Sequence, residues 1–591
     1  MANALISARR HIRIFAMLFL IVGIALFTRL YALSVIPTGI SDDEILFPLS
    51  GRSFYYTGKD LTEQWSPFSS VKPPSNIIQV FGKVPYILFA PYFASVKFSL
   101  LTARFPYALL GSLFVLVLFM ISKKLFSDKE AYIIVLLYAI NPWSIFFSRT
   151  AYEAPLGVYF GFTMFAILLY ANSWRIMLAF PFYILSLYSY IGTPVVLPFF
   201  ALIGAVHSWL TNQKKYPGYY LFFLLLCGVT MLVYMIRLPN DVGGNKSSQL
   251  LSPYSESVSS SVNFERTLTI PSRVTSVFIN KYENVFRRFI VQYAGAFSPA
   301  YLFVRGEDQA RFSLDSHGLF YLIDVLFFVY GFAMLLNHKN RVRTAMIVAL
   351  LLVAPIPSAI SGGDTQYVLR SAFLFPVILC IIGFGIYETI RLSKNHTFAA
   401  VAVSIVYGLS FINFGYLYLY KNPVANYDSF GVSGRIVARY VELSGLRNRS
   451  VEILFRGTNK GLLKQYLFFS NRYMRENHSV VASLYTAKIA QIDNVTFADC
   501  EDRSADETVT TIIPFNFVCI PKKSMSEVLN ITNYVTNQPM YVIYNDSVCK
   551  NYPVSPFLHS VTLGDFNIES MSEQDFCRTF FTRDSSYLLP K

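Results

Sequence analysis

Long apolar runs dominate the first 420 residues of this sequence and leave the chain few ways to fold. Each run is about 17–25 residues long, which is enough to cross the hydrocarbon core of a bilayer as a helix. Charged residues make up only 14% of the chain, fewer than in a typical soluble domain. We therefore predict an α-helical polytopic membrane protein with about eleven transmembrane helices, at residues 14–36, 105–122, 131–147, 154–171, 175–190, 194–210, 218–236, 318–336, 344–360, 371–390 and 397–416.

Basic residues are spread unevenly over the connections between these runs. Arg9, Arg10 and Arg13 precede the first run, and later connections alternate between many and few Lys and Arg residues. Because cytoplasmic loops carry an excess of Lys and Arg, we predict a cytoplasmic N-terminus. The net charge of +15 is then mainly a consequence of this topology, and we expect no nucleic-acid partner.

An odd number of spans places the C-terminal region outside the cytoplasm. We predict a transmembrane domain at 1–420 and an extracytoplasmic soluble domain at 421–591 of an integral protein of the plasma or inner membrane. Short runs of β-type composition, such as Val451 to Phe455, predict that the soluble domain is mixed α/β. The same topology places the long loops 37–104 and 237–317 outside the cytoplasm.

Cysteine placement agrees with this topology. Four of the six cysteines lie in the C-terminal domain, and an extracytoplasmic compartment permits disulfides. Four cysteines allow two bridges in three possible pairings, and the sequence does not choose between them. They are Cys500, Cys519, Cys549 and Cys577.

The 37–104 loop contains a further apolar stretch at 77–100. Pro85 and Pro91 interrupt this stretch, so we predict short helices that lie in the membrane interface. The alternative is a twelfth span, which would invert every later assignment against the distribution of basic residues.

Acidic residues cluster at the predicted extracytoplasmic ends of the spans. Asp42, Asp43 and Glu44 follow the first span, and Glu153 begins the fourth. Consecutive helical residues point about 100° apart, so the three acids of the triplet cannot all face one point. An ionisable group that enters lipid is costly and is a functional candidate, whereas a solvated polar turn is the simpler explanation of the triplet.

Basic residues occur at the same membrane level. Carboxylates opposite cations at a membrane surface suit an anionic lipid headgroup and a neutral nucleophile that needs a base. The alternative is that these side chains extend to lipid headgroups and do nothing more. The basic residues are Lys72, Arg104, Arg149 and Arg370.

Several short motifs resemble, in order, those of polytopic glycosyltransferases of the GT-C fold that use polyprenyl-phosphate sugars. This class includes the protein O-mannosyltransferases of glycosyltransferase family 39 and the aminoarabinose transferases of lipid A. The resemblance covers residues 14–416. The motifs are Asp43-Glu44 with Thr57-Gly58-Lys59-Asp60, Lys72-Pro73-Pro74, the segment Arg104 to Gly111, the segment Asn141 to Ala154, and the segment Pro357 to Pro376.

The resemblance implies a catalytic chemistry for the acidic residues. A sugar would pass from polyprenyl phosphate to a hydroxyl of a protein, lipid or glycan acceptor, with inversion at the anomeric carbon. Asp43 would be the general base, while Glu44 and Glu153 would orient the acceptor or, with Asp43, hold a divalent cation through oxygen ligands. A metal is optional in this scheme, and Asp42 would cap a helix or assist in positioning.

The resemblance also implies how the donor phosphate is bound. Cations would stabilise the negative charge that grows on the leaving phosphate. Lys72 and Arg370 are the first candidates, followed by Arg104 and Arg149. The family pattern has a histidine shortly before the late arginine, where this chain has Tyr367.

Two other classes of protein remain open at this stage. A transporter or flippase would carry ionisable residues near mid-membrane, where Asp324 is the nearest example. A glycan polymerase, ligase or oligosaccharide transferase would use a diphosphate-linked lipid instead of a monophosphate.

Overall fold

The computed structural model describes most of the chain. The described residues are 2–69, 82–211, 215–241, 251–272, 274–307, 313–314, 317–362, 366–455, 461–487, 489–500, 509–515, 528–555 and 560–583.

Every predicted apolar run coincides with a helix or with a pair of helices. The membrane part is a bundle of these helices, with an extensive buried apolar core. Its helices are Ala2–Leu30, Leu100–Leu125, Asp128–Ile140, Pro142–Ser148, Ala154–Tyr170, Ala179–Leu187 preceded by the 3₁₀ turn Ser173–Leu178, Thr193–Thr211, Pro217–Asp241, Asp324–Leu336, Arg341–Val353, Ile356–Ala359, Leu374–Leu392 and His396–Tyr416.

The number of spans is smaller by strict criteria than the sequence predicts. Among the described residues, six helices are long and apolar enough to cross a membrane, or seven if the pair Asp128–Ile140 and Pro142–Ser148, bent by 58°, is one span. Four predicted runs correspond to shorter apolar helices. The polytopic helical class is therefore confirmed, whereas the count of about eleven is not.

The 37–104 loop folds into helices that pack against the bundle. Ser41 and Glu44 form a capping box that starts the Asp42–Thr57 helix, and Gly58 ends it with a positive φ of 70°. Two six-residue helices follow, at Lys83–Leu88 and Ala90–Ser95. Neither is long enough to cross a bilayer, so the described part of this stretch contains no twelfth span.

The second long loop is also helical. Its elements are Glu256–Thr267, Thr275–Phe278, Lys281–Gly295 and a π-helical turn at Ala300–Val304. A further π-helical turn, Leu417–Lys421, and the short helix Asn422–Ala425 lead from the last apolar helix into the C-terminal domain.

The C-terminal domain is built on a mixed sheet, as predicted. Its strands are β1 Val451–Phe455, β2 Ala490–Ile492, β3 Val495–Asp499, β4 Thr510–Pro514, β5 Leu529–Thr532, β6 Pro539–Tyr544 and β7 Phe581–Thr582. In the described residues the strand order is β2-β3-β1-β4-β6-β5-β7; β1 is parallel to β3 and β4, and the other pairs are antiparallel. Its helices are Val432–Leu446, Gly461–Phe469, His478–Thr486 and Glu573–Phe580, with 3₁₀ turns at Arg475–Asn477, Leu563–Phe566 and Ile568–Ser570.

A disulfide joins Cys549 and Cys577 in this domain. Cys519 lies outside the described residues, so the pairing of the predicted second bridge is not described. Cys227 and Cys380 are buried free thiols in the apolar helices.

The C-terminal domain packs directly on the 37–104 loop. The Arg435 guanidinium donates to the carbonyl of Thr38 at 2.6 Å, and the Arg52 guanidinium donates to the carbonyl of Tyr473 at 2.8 Å. The rings of Phe98 and Phe468 stack with centroids 5.1 Å apart. These contacts place the C-terminal domain on the same side of the helical bundle as the acidic triplet.

Candidate functional site

The acidic triplet occupies the first turn of the Asp42–Thr57 helix, and its three side chains have different surroundings. Glu44 is fully buried. Asp42 is half-exposed and lies beside Lys464, with Oδ2 3.4 Å from Nζ. Asp43 is exposed and makes no hydrogen bond or ion pair with any residue that the structure describes. Of the two exposed acids, Asp43 is the one whose carboxylate has no partner among the described residues.

Glu44 forms a buried joint between three segments. Its carboxylate accepts hydrogen bonds from the backbone N–H of Ser41 at 3.1 Å and of Ala151 at 2.8 Å. Arg104 donates to the same carboxylate from Nε at 3.2 Å and from Nη2 at 3.3 Å. A buried charge is tolerated when it is paired and hydrogen-bonded in this way. Glu44 thus fixes the acidic turn against the segment that leads to Glu153.

Arg104 and Arg149 are occupied by backbone carbonyls. Arg104 also donates to the carbonyl oxygens of Pro37, at 2.7 Å, and Gly39. Arg149 is buried and donates to the carbonyls of Thr28, Arg29, Tyr31 and Ile36 and to the hydroxyl of Tyr418. A cation is favourable at the C-terminal end of a helix, and Arg149 holds that position for the first helix. Both guanidinium groups therefore hold the fold together at the positions where the sequence predicts phosphate binding.

A second group of charged side chains surrounds Tyr190. The buried Tyr190 hydroxyl accepts a hydrogen bond from Arg370, while Glu153 and Glu307 lie close enough to act on it electrostatically. Burial raises the pKa of Tyr190; the charge of Arg370 opposes this rise, and the two carboxylates add to it. Two carboxylates, of Glu153 and Glu307, and the guanidinium of Arg370 thus come together at the Tyr190 hydroxyl from remote parts of the sequence.

Tyr367 completes this cluster. The Arg370 guanidinium lies over the Tyr367 ring, with Cζ 5.5 Å from the centroid, within the range of a cation–π contact. Burial raises the pKa of the Tyr367 hydroxyl, and Tyr190, Tyr152 and the two carboxylates raise it further. Tyr367 therefore supports the arginine. We call Glu153, Tyr190, Glu307, Tyr367 and Arg370 the Arg370 cluster.

The acidic turn and the Arg370 cluster are adjacent. The Ser41 hydroxyl lies 2.7 Å from the hydroxyl of Tyr152, the residue before Glu153. Ser41 and Glu44 flank Asp43 in sequence, and both contact the Ala151–Tyr152 segment. The structure thus brings the segments that carry Asp43, Glu153 and Arg370 to one place.

Two other predicted motifs have different outcomes. Lys72 and its Lys-Pro-Pro motif lie outside the described residues. Asp60, the acid of the Thr-Gly-Lys-Asp motif, accepts hydrogen bonds from the backbone N–H groups of Thr62, Gln64 and Trp65 and from the Thr62 hydroxyl. Asp60 therefore shapes the turn that follows the Asp42–Thr57 helix.

Sequence reasoning missed Glu307, Tyr152 and Tyr190. Glu307 is buried and follows Gly306, whose φ of 75° favours glycine. The Arg305-Gly306-Glu307 segment offers one signal, an acid next to a glycine near the end of a long loop. Nothing local marks Tyr152 or Tyr190, because their partners are far away in the sequence.

The residues predicted to hold a divalent cation do not form a suitable site. No group of three or more His, Cys, Asp or Glu side chains with metal-binding geometry occurs in the described ranges. Both Glu44 oxygens already accept hydrogen bonds from N–H groups, which leaves this carboxylate poorly suited to a metal. The set Asp43, Glu44 and Glu153 is therefore not a metal centre in this structure.

Comparison with known proteins finds solved structures that are similar to this chain. No protein-family model matches the chain, and no curated protein matches it. An oligosaccharyltransferase from Archaeoglobus fulgidus, tethered to an acceptor peptide, is 13% identical with a TM-score of 0.41, and the alignment covers 77% of this chain and 63% of that one. The chain thus spans less than two thirds of that structure's length.

Two further similar structures carry bound lipids. Archaeal AglB from Archaeoglobus fulgidus, in complex with an inhibitory peptide and a dolichol-phosphate, is 12% identical with a TM-score of 0.44, covering 92% of this chain and 75% of that one. ArnT from Cupriavidus metallidurans bound to undecaprenyl phosphate is 12% identical with a TM-score of 0.46, covering 89% and 97%. Similarity at this level defines neither donor nor acceptor, so the chemistry has to be inferred from the side chains of this chain.

Proposed function

We propose that this protein is a membrane glycosyltransferase that moves a sugar from a polyprenyl-phosphate donor to an acceptor hydroxyl. The observation that carries the proposal is the convergence of Glu153, Glu307 and Arg370 at Tyr190, together with the contact between Ser41, two residues before the exposed Asp43, and Tyr152, the residue before Glu153. These carboxylates and this guanidinium come from remote parts of the chain and lie at one end of the apolar helices. Such a group suits a reaction between an anionic lipid and a neutral nucleophile. The donor class is the one that the motifs imply.

Arg370 is the proposed donor-phosphate ligand. Negative charge grows on the phosphate as the glycosidic bond breaks, and a fixed cation stabilises that charge. The Tyr190 hydroxyl and the Tyr367 ring hold the guanidinium in place. Lys72 remains a proposed second cation. We assign Arg104 and Arg149 to the scaffold, because their donors are bound to carbonyls, to Glu44 and to Tyr418.

Asp43 is the proposed general base. An acceptor hydroxyl is a weak nucleophile, and a carboxylate within hydrogen-bond reach removes its proton as it attacks. Attack opposite the leaving phosphate inverts the anomeric carbon. Glu44 holds the turn on which Asp43 lies, while Glu153 and the newly found Glu307 orient the acceptor. No step requires a metal.

The proposed orientation follows from the basic residues. An N-terminus in the cytoplasm places the acidic turn, the Arg370 cluster and the C-terminal domain on the extracytoplasmic side. The acceptor, whether protein, lipid or glycan, would therefore be modified after it has left the cytoplasm.

The test is sugar transfer by the purified protein from radiolabelled polyprenyl-phosphate sugars. We expect Asp43→Asn to lower the turnover by about 10²–10⁴-fold while donor binding is retained, because only proton transfer is lost. Glu265→Gln is the matched control, since Glu265 lies in an ion pair with Arg287 on the other long loop. A fully active Asp43→Asn protein would remove the base assignment.

A parallel arm with polyprenyl-diphosphate donors separates the proposal from the polymerase or oligosaccharide-transferase class. Transfer from the diphosphate donor alone would reject the monophosphate donor. A transport function has less support, because Asp324, the acid nearest to mid-span, is held by the Tyr321 N–H at 2.9 Å and by the Tyr407 hydroxyl.

A further inference from the structure

The helix Lys281–Gly295 in the second long loop has an apolar face that the described residues leave largely uncovered. The side chains of this face recur at intervals of three and four residues, so they lie on one side of the helix. The three most exposed of them are between 47% and 68% exposed, and two others stack their aromatic rings with centroids 6.1 Å apart. We call this surface the Phe286 face; it consists of Tyr282, Phe286, Phe289, Ile290 and Tyr293.

The opposite side of the same helix is covered by protein. Asn284 and Gln292 are both buried there. Asn284 Nδ2 donates to the Ser261 hydroxyl of the helix Glu256–Thr267 at 3.3 Å. Gln292 accepts hydrogen bonds from Gln366 Nε2, at 2.9 Å on its carbonyl and at 2.7 Å on its side-chain oxygen. The helix thus turns two polar side chains toward the protein and its aromatic side chains away from it, which is the reverse of the arrangement in a helix that faces water.

The Phe286 face is continuous with the outer surface of a candidate transmembrane helix. The Tyr293 hydroxyl donates to the carbonyl of Leu352 at 2.7 Å. Leu352 belongs to the candidate span Arg341–Ala359, and its side chain is 53% exposed on the outside of the helical bundle. It precedes the end of that span by seven residues, which is about 10 Å along the helix axis. One end of the face therefore lies at the level of the membrane.

The composition of the face matches the interface between lipid headgroups and acyl chains. Phenylalanine and isoleucine side chains leave water when they enter this region. Tyrosine is enriched there, because it combines an apolar ring with a polar hydroxyl. The side chain of Lys281, at the start of the helix, is exposed and long enough to extend to lipid phosphates. Amphipathic helices that lie in a membrane surface have this composition.

We propose that the Phe286 face binds the lipid interface at the end of the bundle that carries the Arg370 cluster. The partner is the bilayer and not a second protein, because the face continues onto the outer surface of a span at Leu352. The helix is also linked to the cluster, since Gln366, which binds Gln292, precedes Arg370 by four residues. Lipid binding by the loop would therefore help to hold the segment that carries Arg370. The membrane contact itself does not depend on the proposed function.

The test is power-saturation EPR on the full-length protein in vesicles of phosphatidylcholine and phosphatidylglycerol. A spin label is attached to Phe286→Cys, Ile290→Cys or Val291→Cys, and its collisions with oxygen and with a water-soluble nickel chelate give its depth. Val291 is the matched control, because it is 63% exposed on the same helix but points about 140° away from Phe286. Wild-type protein treated with the label measures any reaction of the buried thiols of Cys227 and Cys380.

We expect the labels at 286 and 290 to lie about 5–10 Å into the boundary between headgroups and acyl chains, and the label at 291 to lie in water. Phe286→Glu should move the label at 290 toward water, whereas Val291→Glu should leave its depth unchanged. Both side chains are exposed, so neither substitution should change the midpoint of thermal unfolding.

The proposal is overturned if the three labels reach the chelate equally, or if Phe286→Glu does not change the depth of the label at 290. The depths are measured without any donor lipid, so the two proposals can fail separately. An inactive protein with the labels at 286 and 290 in the lipid interface would reject only the proposed function. An active transferase with both labels in water would reject only the membrane contact.

Discussion

Two groups of charged side chains lie side by side in this protein and differ in how their charges are satisfied. In the joint of Glu44 and Arg104, both side chains are fully buried, and the carboxylate and guanidinium bind each other and backbone groups. In the Arg370 cluster, the guanidinium donates a hydrogen bond to the Tyr190 hydroxyl and lies over the Tyr367 ring, while two carboxylates lie nearby. In the joint, the two charges neutralise each other and hold segments of the fold together. In the Arg370 cluster, the charged groups of Arg370, Glu153 and Glu307 all lie close to the Tyr190 hydroxyl.

The difference shows that charge type and membrane level do not reveal the role of an ionisable residue. Arg149, Arg104 and Arg370 all occur near the same ends of the helices, and the sequence motifs suggested the same role for all three. They differ in how many of their N–H donors are already used. The guanidinium groups of Arg104 and Arg149 donate to several backbone carbonyls and so hold segments of the chain together. Substitutions in the joint should therefore change stability, whereas substitutions in the cluster should change turnover.

The largest expected effect is on the joint. We expect Glu44→Ala to lower the free energy of unfolding by about 3–5 kcal/mol, because Arg104 would remain buried without its counter-charge. The midpoint of thermal unfolding in detergent and the yield of monodisperse protein measure this loss. Asp43→Asn, one residue away but exposed, should stay within about 0.5 kcal/mol of wild type. Equal stability of Glu44→Ala and wild type would show that the joint does not hold the acidic turn.

The next effect concerns the cluster. We expect Arg370→Gln to lower kcat/KM by about 10²–10³-fold, the usual cost of removing one group that stabilises transition-state charge. Its unfolding midpoint should change little. Arg287→Gln is the matched control, because Arg287 is an exposed arginine paired with Glu265 and Glu283. If Arg370→Gln unfolds early and keeps its turnover, Arg370 belongs with the joint and the contrast between the two groups fails.

The sequence predicted the architecture better than it predicted the partners of charged residues. Apolar runs are local patterns, so the helices and the mixed sheet domain were accessible, and Pro85 and Pro91 correctly indicated short helices. Marginal apolar helices such as Ala154–Tyr170 explain why the number of spans is not confirmed. The helical period also predicted that the three acids of the triplet diverge.

The partners of the arginines could not be read from local patterns. Arg104 reaches Glu44 across 60 residues, and Arg149 reaches the carbonyl of Thr28 across 121. Buried arginines of the same kind, Arg29 and Arg52, drew no attention in the sequence, yet each binds several carbonyls. Such contacts depend on how distant segments pack, and only the fold shows them.

A smaller effect is expected where the cluster holds its own arginine. Tyr190→Phe removes the hydroxyl that accepts a hydrogen bond from Arg370 but keeps the ring. We expect kcat/KM to fall about tenfold, since a hydrogen bond to a charged group contributes about 1.5–3 kcal/mol. Steady-state kinetics with varied donor concentration measure this loss. Tyr188→Phe is the control, and an unchanged kcat/KM in Tyr190→Phe would show that Arg370 is positioned without the phenol.

The smallest expected effect concerns Asp428, a partly buried acid that is hydrogen-bonded to Ser433 and has no basic partner among the described residues. Burial raises its pKa, and hydrogen bonds with Ser433 only partly offset that rise. The native state therefore binds a proton more tightly than the unfolded state, so this group's contribution to stability falls as the pH rises from below the unfolded pKa to above the native one.

Asp428→Asn removes this penalty, and we expect the variant to be slightly more stable than wild type at neutral pH. The gain should stay below the roughly 1 kcal/mol typical of single substitutions and should disappear at acidic pH. Unfolding midpoints of both proteins across that pH range measure the difference. The contrast fails if Asp428→Asn is destabilised at neutral pH by as much as Glu44→Ala. Asp428, which has no arginine partner among the described residues, would then contribute as much to stability as Glu44, which is paired with Arg104.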